Sequence, residues 1–338
     1  MLPFKLIYHE RYDLHLYAHV FPSQKYRLVG KLLLHEGIAG ALDFATPEQA
    51  TDEDILRAHT PGYLGKLKRN ELSDRERMRL EIPFNAETFE AFRLAAGGSI
   101  LAGECALAAR TAAANGWAAN LGGGFHHACP DHGEGFCVLN DVAIAIRHLQ
   151  ACGKIRTAMV VDTDVHQGNG TAEIFHGDVS VFTLSLHQED IYPEPKSHSD
   201  RDVNLAAGTD DAEYLAVLET NLSAALYDFE ADMIFYVAGA DPYGEDQLGG
   251  LALTTTGLAA RDALVFRHAR SRNIPVAVTL AGGYARCVED TVRIHTNTIL
   301  AMKDAAMPNT AMHNAVLKDG AAPHRMDPRI ELARRPIN

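Results

Sequence analysis

The stretch Thr-Ala-Met-Val-Val-Asp-Thr-Asp-Val-His-Gln-Gly-Asn-Gly, residues 157–170, combines two patterns that decide the fold. Its first five residues are apolar or β-branched and do not alternate with polar ones, which is typical of a strand buried on both faces. An Asp-x-Asp-x-His pattern follows at residues 162–166, and glycines come next. A buried strand that ends in ionisable residues predicts a parallel sheet, because such sheets bind ligands at the carboxyl ends of their strands.

Four other apolar runs have the same character and lie at residues 117–120, 179–186, 233–238 and 275–280. Helical patterns alternate with them at residues 89–110, 141–152, 212–227 and 257–270, and Asp210 and Glu213 have the spacing of a capping box before the third helix. This alternation predicts an α/β fold, a single three-layer domain with a central, mostly parallel β-sheet flanked by helices. We assign the domain to residues 1–308 and expect residues 309–338, which lack apolar periodicity, to form a C-terminal tail.

The composition of the 338 residues argues against several classes of protein. Hydrophobic residues (47%) and charged residues (22%) are close to the average for folded domains. No apolar run approaches the roughly 20 residues of a membrane span and the first residues do not resemble a secretion signal, so we expect a cytoplasmic protein. The net charge of −13 disfavours direct nucleic acid binding, and five scattered cysteines disfavour a disulfide framework or a zinc ribbon.

The Asp-x-Asp-x-His pattern places Asp162, Asp164 and His166 on one face, because alternate residues of an extended chain point the same way. Asp241 follows another predicted strand and can complete a set of two carboxylates and one imidazole. Three protein ligands with an open position are typical of a catalytic zinc site. A hydrogen-bond network of Asp and His without a metal is the alternative for an isolated pattern of this kind.

Two more strand ends carry groups suited to catalysis. His126 and His127 follow three glycines, and two adjacent imidazoles can accept a proton from water and donate one to a leaving amine. Tyr284 follows Gly282-Gly283, and its protonated phenol can donate a hydrogen bond to an oxyanion. The alternative is that the two histidines are ordinary core residues and that Tyr284 only fills space in the packing.

The motifs GGGFHH (122–127), GEGFCVLND (133–141), VDTDVHQGNG (161–170), LSLHQEDIYP (184–193), AGADPYGEDQLGG (238–250) and AGGY (281–284) occur in this order. Together they resemble the metal-dependent histone deacetylases and their bacterial relatives, which have the arginase/deacetylase fold. The resemblance extends over residues 7–303. Gln167, Asn169 and the sequence around Asp241 look most like the class IV branch.

The resemblance implies a role for each matching residue. Asp164, His166 and Asp241 would hold the catalytic metal, Zn²⁺ or alternatively iron. His127 would be the general base and His126 the neighbouring imidazole, while Tyr284 would polarise the substrate carbonyl. Asp162 would orient His126, and Asn169 would contact His127. The acyl-lysine tunnel would be lined by Gly135, Phe136, Tyr192 and Gly283. A structural K⁺ would be bound by the backbone carbonyls of Asp162, Asp164, His166 and Leu186 and by the hydroxyl of Ser185.

The resemblance leaves the substrate open. An acyl-lysine protein or peptide is favoured over a small acylated amine such as an acetylated polyamine, and both acetyl and longer fatty acyl groups are candidates. Many relatives have an aspartate where this chain has Asn169. Because an amide carries no charge, His127 would be less basic here than in those relatives. A ureohydrolase would need further aspartates for a second metal, and residues 167–168 and 242–243 do not supply them. A non-catalytic acyl-binding module, homo-oligomerisation and a role of residues 9–25 at the tunnel mouth also remain open.

Overall fold

The predicted apolar runs form the centre of one parallel sheet. The computed structural model describes residues 1–16, 19–111 and 116–307, so the predicted tail lies outside the described residues. The strands, in chain order, are β1 Lys5–Ile7, β2 Phe44–Ala45, β3 Trp117–Asn120, β4 Ala158–Asp162, β5 Val181–Gln188, β6 Arg201–Leu205, β7 Met233–Val237 and β8 Val276–Thr279. Their spatial order is β2-β1-β3-β8-β7-β4-β5-β6, and every neighbouring pair is parallel.

Helices flank this sheet. In chain order they are α1 Lys25–His35, α2 Asp52–Leu56, α3 Pro61–Arg69, α4 Asp74–Leu80, α5 Ala86–Ala109, α6 Asp141–Ala151, α7 Asn169–Ile174, α8 Asp211–Asp228, α9 Thr255–Ser271 and α10 Val288–Ala306. Helix α5 packs on α6, whereas α8, α9, α10 and α1 pack in succession. Asp210 caps α8 by accepting a hydrogen bond from the backbone N–H of Glu213. The predicted α/β architecture with a central parallel sheet is confirmed.

The five predicted strands are neighbours in the sheet, in the order β3-β8-β7-β4-β5. Residues of β3, β4, β7 and β8 are all buried, which explains why their sequences show no polar alternation. The structure adds β1, β2 and β6, which the sequence analysis did not predict. These three lie towards the two edges, and β6 (RDVNL) is mostly polar and only partly buried.

Helix α5 is the one helix of the described ranges that is long and apolar enough to cross a membrane, by length and composition only. In its apolar window 67% of the residues are buried within the fold. A Cβ at Gly97 would lie 1.8 Å from the carbonyl oxygen of Glu48, so the helix packs closely on a neighbouring segment. Packing in the core therefore accounts for the apolar composition of α5.

Candidate active site

The carboxyl ends of four of the five central strands bring the predicted catalytic and metal-binding residues together. The loop after β3 carries His126 and His127, and the loop after β4 carries Asp164 and His166. The loops after β7 and β8 add Asp241 and Tyr284. Because these strands are parallel neighbours, residues more than a hundred positions apart in the chain meet at one edge of the sheet.

Asp164, His166 and Asp241 form a buried group whose potential ligand atoms all lie within 4.8 Å of one another. The Nδ1 atom of His166 is 3.2 Å from Oδ1 of Asp164 and 3.4 Å from Oδ2 of Asp241. Two ligand atoms of a tetrahedral zinc ion, each about 2.05 Å from the metal, would be about 3.3 Å apart. The observed separations therefore suit one small divalent cation.

The surroundings of this group also fit a cation. Oδ2 of Asp241 is buried and has no hydrogen-bond partner among the described residues. Burial, together with the nearby carboxylate of Asp164, raises the pKa of Asp241 to about 7. A Cβ at Gly282 would lie 2.0 Å from that same Oδ2 and 2.4 Å from Oδ2 of Asp164, so only glycine leaves the space open. A bound cation would compensate both buried negative charges.

Backbone groups hold the two carboxylates in place. Oδ2 of Asp164 accepts a hydrogen bond from the N–H of Gly282 at 2.9 Å, and Oδ1 of Asp241 accepts one from the N–H of Val165 at 2.9 Å. Behind them the buried guanidinium of Arg261 donates to the carbonyl oxygen of Gly239 at 2.5 Å. The cluster is thus braced from three separate segments of the chain.

His126 and His127 form a pair of imidazoles with different partners. Nδ1 of His126 lies 2.7 Å from Oδ2 of Asp162, and Nδ1 of His127 lies 2.7 Å from Oδ1 of Asn169. The two Nε2 atoms are 3.1 Å apart. This is the pairing of Asp162 with His126 and of Asn169 with His127 that the sequence predicted.

The two imidazoles differ in their affinity for a proton. Burial disfavours protonation of His126, but the carboxylates of Asp162 and Asp164 outweigh it and raise its pKa to about 9. Burial, with the neighbouring imidazoles of His126 and His166, holds the pKa of His127 well below its ordinary value. A protonated and a neutral imidazole in contact are a combination suited to acid and base catalysis.

The turn that presents the imidazoles is fixed by Asp141. Gly123 and Gly124 have positive φ angles of 76° and 81°, and the carboxylate of Asp141 accepts hydrogen bonds from the N–H groups of Gly124 at 3.0 Å and Phe125 at 2.8 Å. The sequence favours Asn140 or Asp141 as a helix N-cap rather than a catalytic group, and it does not predict this contact of Asp141 with the turn. The neighbouring Asn140 caps α6 by accepting from the N–H of Ala143.

The loop 244–250 fixes the backbone of Tyr284. Asp246 accepts a hydrogen bond from the N–H of Tyr284 at 2.7 Å, and the side-chain amide of Gln247 donates to its carbonyl oxygen at 2.8 Å. Burial and the carboxylates of Asp164 and Asp241 raise the pKa of Tyr284, so its phenol stays a donor. Neither Asp246 nor Gln247 was predicted, although both lie in a quoted motif.

Aromatic rings surround the approach to the site. The ring of Phe136 stacks on Phe21 at a centroid distance of 5.8 Å and packs against the edge of Tyr284 at 5.8 Å. The ring of Tyr192 lies 4.9 Å from that of His127. A Cβ at Gly135 would be 2.8 Å from His127 and 2.9 Å from Tyr192, which explains the glycine.

A cavity connects the rings of Phe21, Phe136 and Tyr284 with the imidazoles, whereas Tyr192 is not part of its lining. Its lining residues are Phe21, Tyr26, Gly124, Phe125, His126, His127, Gly135, Phe136, Cys137, Asp164, Ala281, Gly282 and Tyr284. Phe21 belongs to the segment 9–25, so this segment does contribute to the cavity. Gly283, by contrast, faces Thr291 and Ala240, and its place in a substrate tunnel remains a prediction.

Two other groups lie near the site. Ser185 pairs with Asp162 in the register of β4 and β5, and its hydroxyl is 2.9 Å from Nδ1 of His187; the predicted K⁺ site with Leu186 remains a prediction. Lys25 is fully buried, donates to the carbonyl oxygen of Ala281 at 2.6 Å and lies 5.4 Å from the ring centre of Tyr284. No sequence pattern indicated Lys25, because it opens α1 far from the other motifs.

A parallel sheet whose strand ends unite a potential metal-binding group, two imidazoles and a phenol has the features of a hydrolase site. Residues 19–299 match the family model described as the histone deacetylase domain. The chain is 38% identical to an uncharacterized protein of Picosynechococcus sp., over 89% of this chain and 99% of that one. It is 33% identical to histone deacetylase 2 of Arabidopsis thaliana, over 85% of this chain and 77% of the plant protein.

A crystal structure of a histone deacetylase homologue complexed with SAHA has the same fold, with a TM-score of 0.75, 22% identity and 97% of each chain covered. The chain belongs to the histone deacetylase family, as its motifs predicted, and it is a hydrolase of the deacetylase type.

Proposed function

We propose that this protein is a zinc-dependent deacylase that removes an acetyl or longer acyl group from the Nε atom of lysine in a protein or peptide. The observation that carries the proposal is the contact between the two Nε2 atoms of His126 and His127 beside the buried group of Asp164, His166 and Asp241. Base and acid thus lie next to the proposed metal ligands, and Asp164 lines the same cavity as both imidazoles.

Each residue has a defined task in this mechanism. Asp164, His166 and Asp241 would hold a zinc ion, which when bound would polarise the substrate carbonyl and acidify a water molecule. The Nδ1–H of His127 donates to Asn169, so the basic nitrogen of His127 is Nε2, the atom that would take a proton from the attacking water. The phenol of Tyr284 donates to the developing oxyanion.

Hydrolysis replaces the amide C–N bond of the substrate by a C–O bond. Water oxygen bonds to the carbonyl carbon, the C–N bond breaks, and the leaving amine takes a proton from the imidazole pair. Asp162 keeps His126 oriented and favours its protonated form, which stabilises the negative charge that develops nearby. The products are a carboxylic acid and a free amine.

The shape of the approach supports an acyl-lysine substrate. The rings of Phe21 and Phe136 provide an apolar wall that suits the methylene chain of lysine. Gln167 and Asn169 favour the class IV branch, and we assign a structural K⁺ to the carbonyls of Asp162, Asp164, His166 and Leu186 with the Ser185 hydroxyl. All five cysteines are free thiols, which suits the reducing cytoplasm in which we place the protein.

The first test uses a fluorogenic acyl-lysine peptide before and after removal of metal. We expect activity to disappear with a strong chelator and to return with one equivalent of Zn²⁺. Tyr284→Phe should lower kcat by about 100- to 1,000-fold while metal content stays unchanged. Tyr227→Phe, at a tyrosine that is 89% exposed, is the matched control.

Two results would exclude this mechanism. Activity that persists in metal-free protein would exclude a catalytic metal, and near-normal kcat in Tyr284→Phe would remove the phenol from the reaction. A substrate panel of acetyl-, octanoyl- and myristoyl-lysine peptides and acetylated polyamines then decides the substrate. Faster hydrolysis of the polyamines than of every peptide would contradict the acyl-lysine proposal.

A further inference from the structure

The side-chain amide of Asn169 lies between the imidazole of His127 and the carboxylate of Glu134. Its Oδ1 atom is 2.7 Å from Nδ1 of His127, and its Nδ2 atom donates to Oε1 of Glu134 at 2.6 Å. The second bond fixes the orientation of the amide, because Nδ2 must face the carboxylate. His127 therefore meets an oxygen and must present its Nδ1–H.

Glu134 is held firmly in this position. Its side chain is only 14% exposed, and its Oε2 atom lies 3.3 Å from Nε2 of His132 and 3.7 Å from Nε of Arg79. Burial raises the pKa of Glu134, but hydrogen bonds from His132, Asn169 and Tyr192 outweigh it and hold that pKa below its ordinary value. The carboxylate is therefore charged at neutral pH.

The charge of Glu134 acts on the imidazole of His127 through the amide of Asn169. The carboxylate polarises the Nδ2–H bond of Asn169 and increases the negative partial charge on Oδ1, which strengthens the bond from His127. Partners of this kind, one step removed from the reacting group, fix tautomer and ring orientation. They do so without placing a second charge in contact with the imidazole.

We propose that Glu134 is a positioning residue for His127, acting through Asn169 in place of a directly bonded carboxylate. This inference rests on the proposed function, in which His127 is the base. Tyr192, whose ring packs on His127, also interacts with the carboxylate of Glu134, so the base and the aromatic ring beside it share this carboxylate as a neighbour.

A second metal ion is the competing explanation for this group of residues. Cys129, His132 and Glu134 could also hold a cation, since their ligand atoms lie within 4.8 Å of one another. However, Oε1 of Glu134 is already bonded to Asn169, and the guanidinium of Arg79 beside Oε2 would repel a cation. The thiol of Cys129 instead donates to the carbonyl oxygen of His127 at 3.5 Å. These contacts favour the hydrogen-bond chain.

The test exchanges the carboxylate of Glu134 and the amide of Asn169. Glu134→Gln retains a group that can accept from Asn169 but removes the charge, and we expect kcat to fall by about 10- to 100-fold with a smaller change in KM. In the double variant Glu134→Gln/Asn169→Asp, the new carboxylate bonds His127 directly and accepts from Gln. We expect its kcat to return to within about fivefold of the starting protein.

The single variant Asn169→Asp completes the double-mutant cycle of positions 134 and 169. It places two carboxylates side by side, so its kcat should be lower than that of the double variant. A merely structural role of Glu134 would show no such rescue. Glu219→Gln is the matched control, because Glu219 also contacts a histidine and an arginine, His268 and Arg267, on the surface between α8 and α9.

Three outcomes would overturn the inference. They are a kcat of Glu134→Gln within about twofold of the starting protein, a double variant no faster than Glu134→Gln, and a second equivalent of bound metal that is lost in both Glu134→Gln and Cys129→Ser. Failure of the proposed function would look different, because the unaltered protein would then be inactive or independent of metal.

Discussion

Replacing Gly282 by alanine adds a single carbon atom between the two carboxylates that we assign to the metal. That atom would lie 2.0 Å from Oδ2 of Asp241 and 2.4 Å from Oδ2 of Asp164, whereas real Cβ contacts essentially never fall below 3.0 Å. One or both carboxylates must therefore move by about 1 Å. Metal–ligand distances tolerate only about 0.2 Å, so the ligands cannot keep their geometry.

The expected loss of metal affinity is large. Disturbing a group that merely supports a ligand costs about 10- to 100-fold, and here two ligands are displaced directly. We therefore expect Zn²⁺ affinity to fall by at least about 100-fold, which corresponds to about 2.8 kcal/mol. Competition with a chromophoric chelator measures the affinity, and circular dichroism verifies that the variant is folded.

Gly62→Ala is the control for this experiment. A Cβ at Gly62, in helix α3, would meet nothing within 4 Å, so the same chemical change should leave metal affinity unaltered. If folded Gly282→Ala bound one equivalent of zinc with the affinity of the starting protein, Asp164 and Asp241 would not be joint ligands of one ion.

Two further predictions concern buried charged and titratable groups. His59 bonds the carbonyl oxygen of Cys129 and the N–H of Asn140, and burial lowers its pKa from 6.5 to about 4. As the pH falls, the unfolded chain therefore takes up this proton before the folded protein does. Up to about 3 kcal/mol of stability that is present above pH 6.5 is lost as the pH falls from 6.5 to 4. Urea titrations should show a shallower decline for His59→Gln, and an equally steep one would contradict this. Arg261→Met leaves the buried carboxylate of Asp262 without its ion pair and should lower the free energy of unfolding by about 3 to 5 kcal/mol. Asp262→Asn in the same chain should recover part of this loss, and no recovery would mean that the unpaired charge is not the cause.

The central strands could be predicted from sequence because burial on both faces leaves an unbroken apolar run. The edge strands could not. Strand β6 forms because its residues pair with β5, for example Val203 with Leu186. The polar sequence RDVNL has no apolar pattern from which this pairing could be predicted. Strand β5 begins at Val181 rather than 179 because Val179 is 92% exposed in the preceding turn.

The same distinction applies to the candidate site. Asp164, His166 and Asp241 follow buried strands directly, so the strand pattern alone places them at one edge of the sheet. Glu134, Phe21 and Asp246 lie in loops whose positions depend on contacts with other segments. Their roles became visible only through distances such as the 2.6 Å between Glu134 and Asn169.

The segment that carries Glu134 and Phe136 is anchored to the end of helix α4 by its main chain. The N–H of Gly135 donates to the carbonyl oxygen of Arg79 at 3.2 Å, and the N–H of Phe136 donates to that of Leu80 at 3.0 Å. Every amino acid supplies a carbonyl oxygen, so these two main-chain bonds do not depend on the identity of the side chains at positions 79 and 80. The placement of Phe136 beside the cavity therefore depends on where the main chain of helix α4 ends.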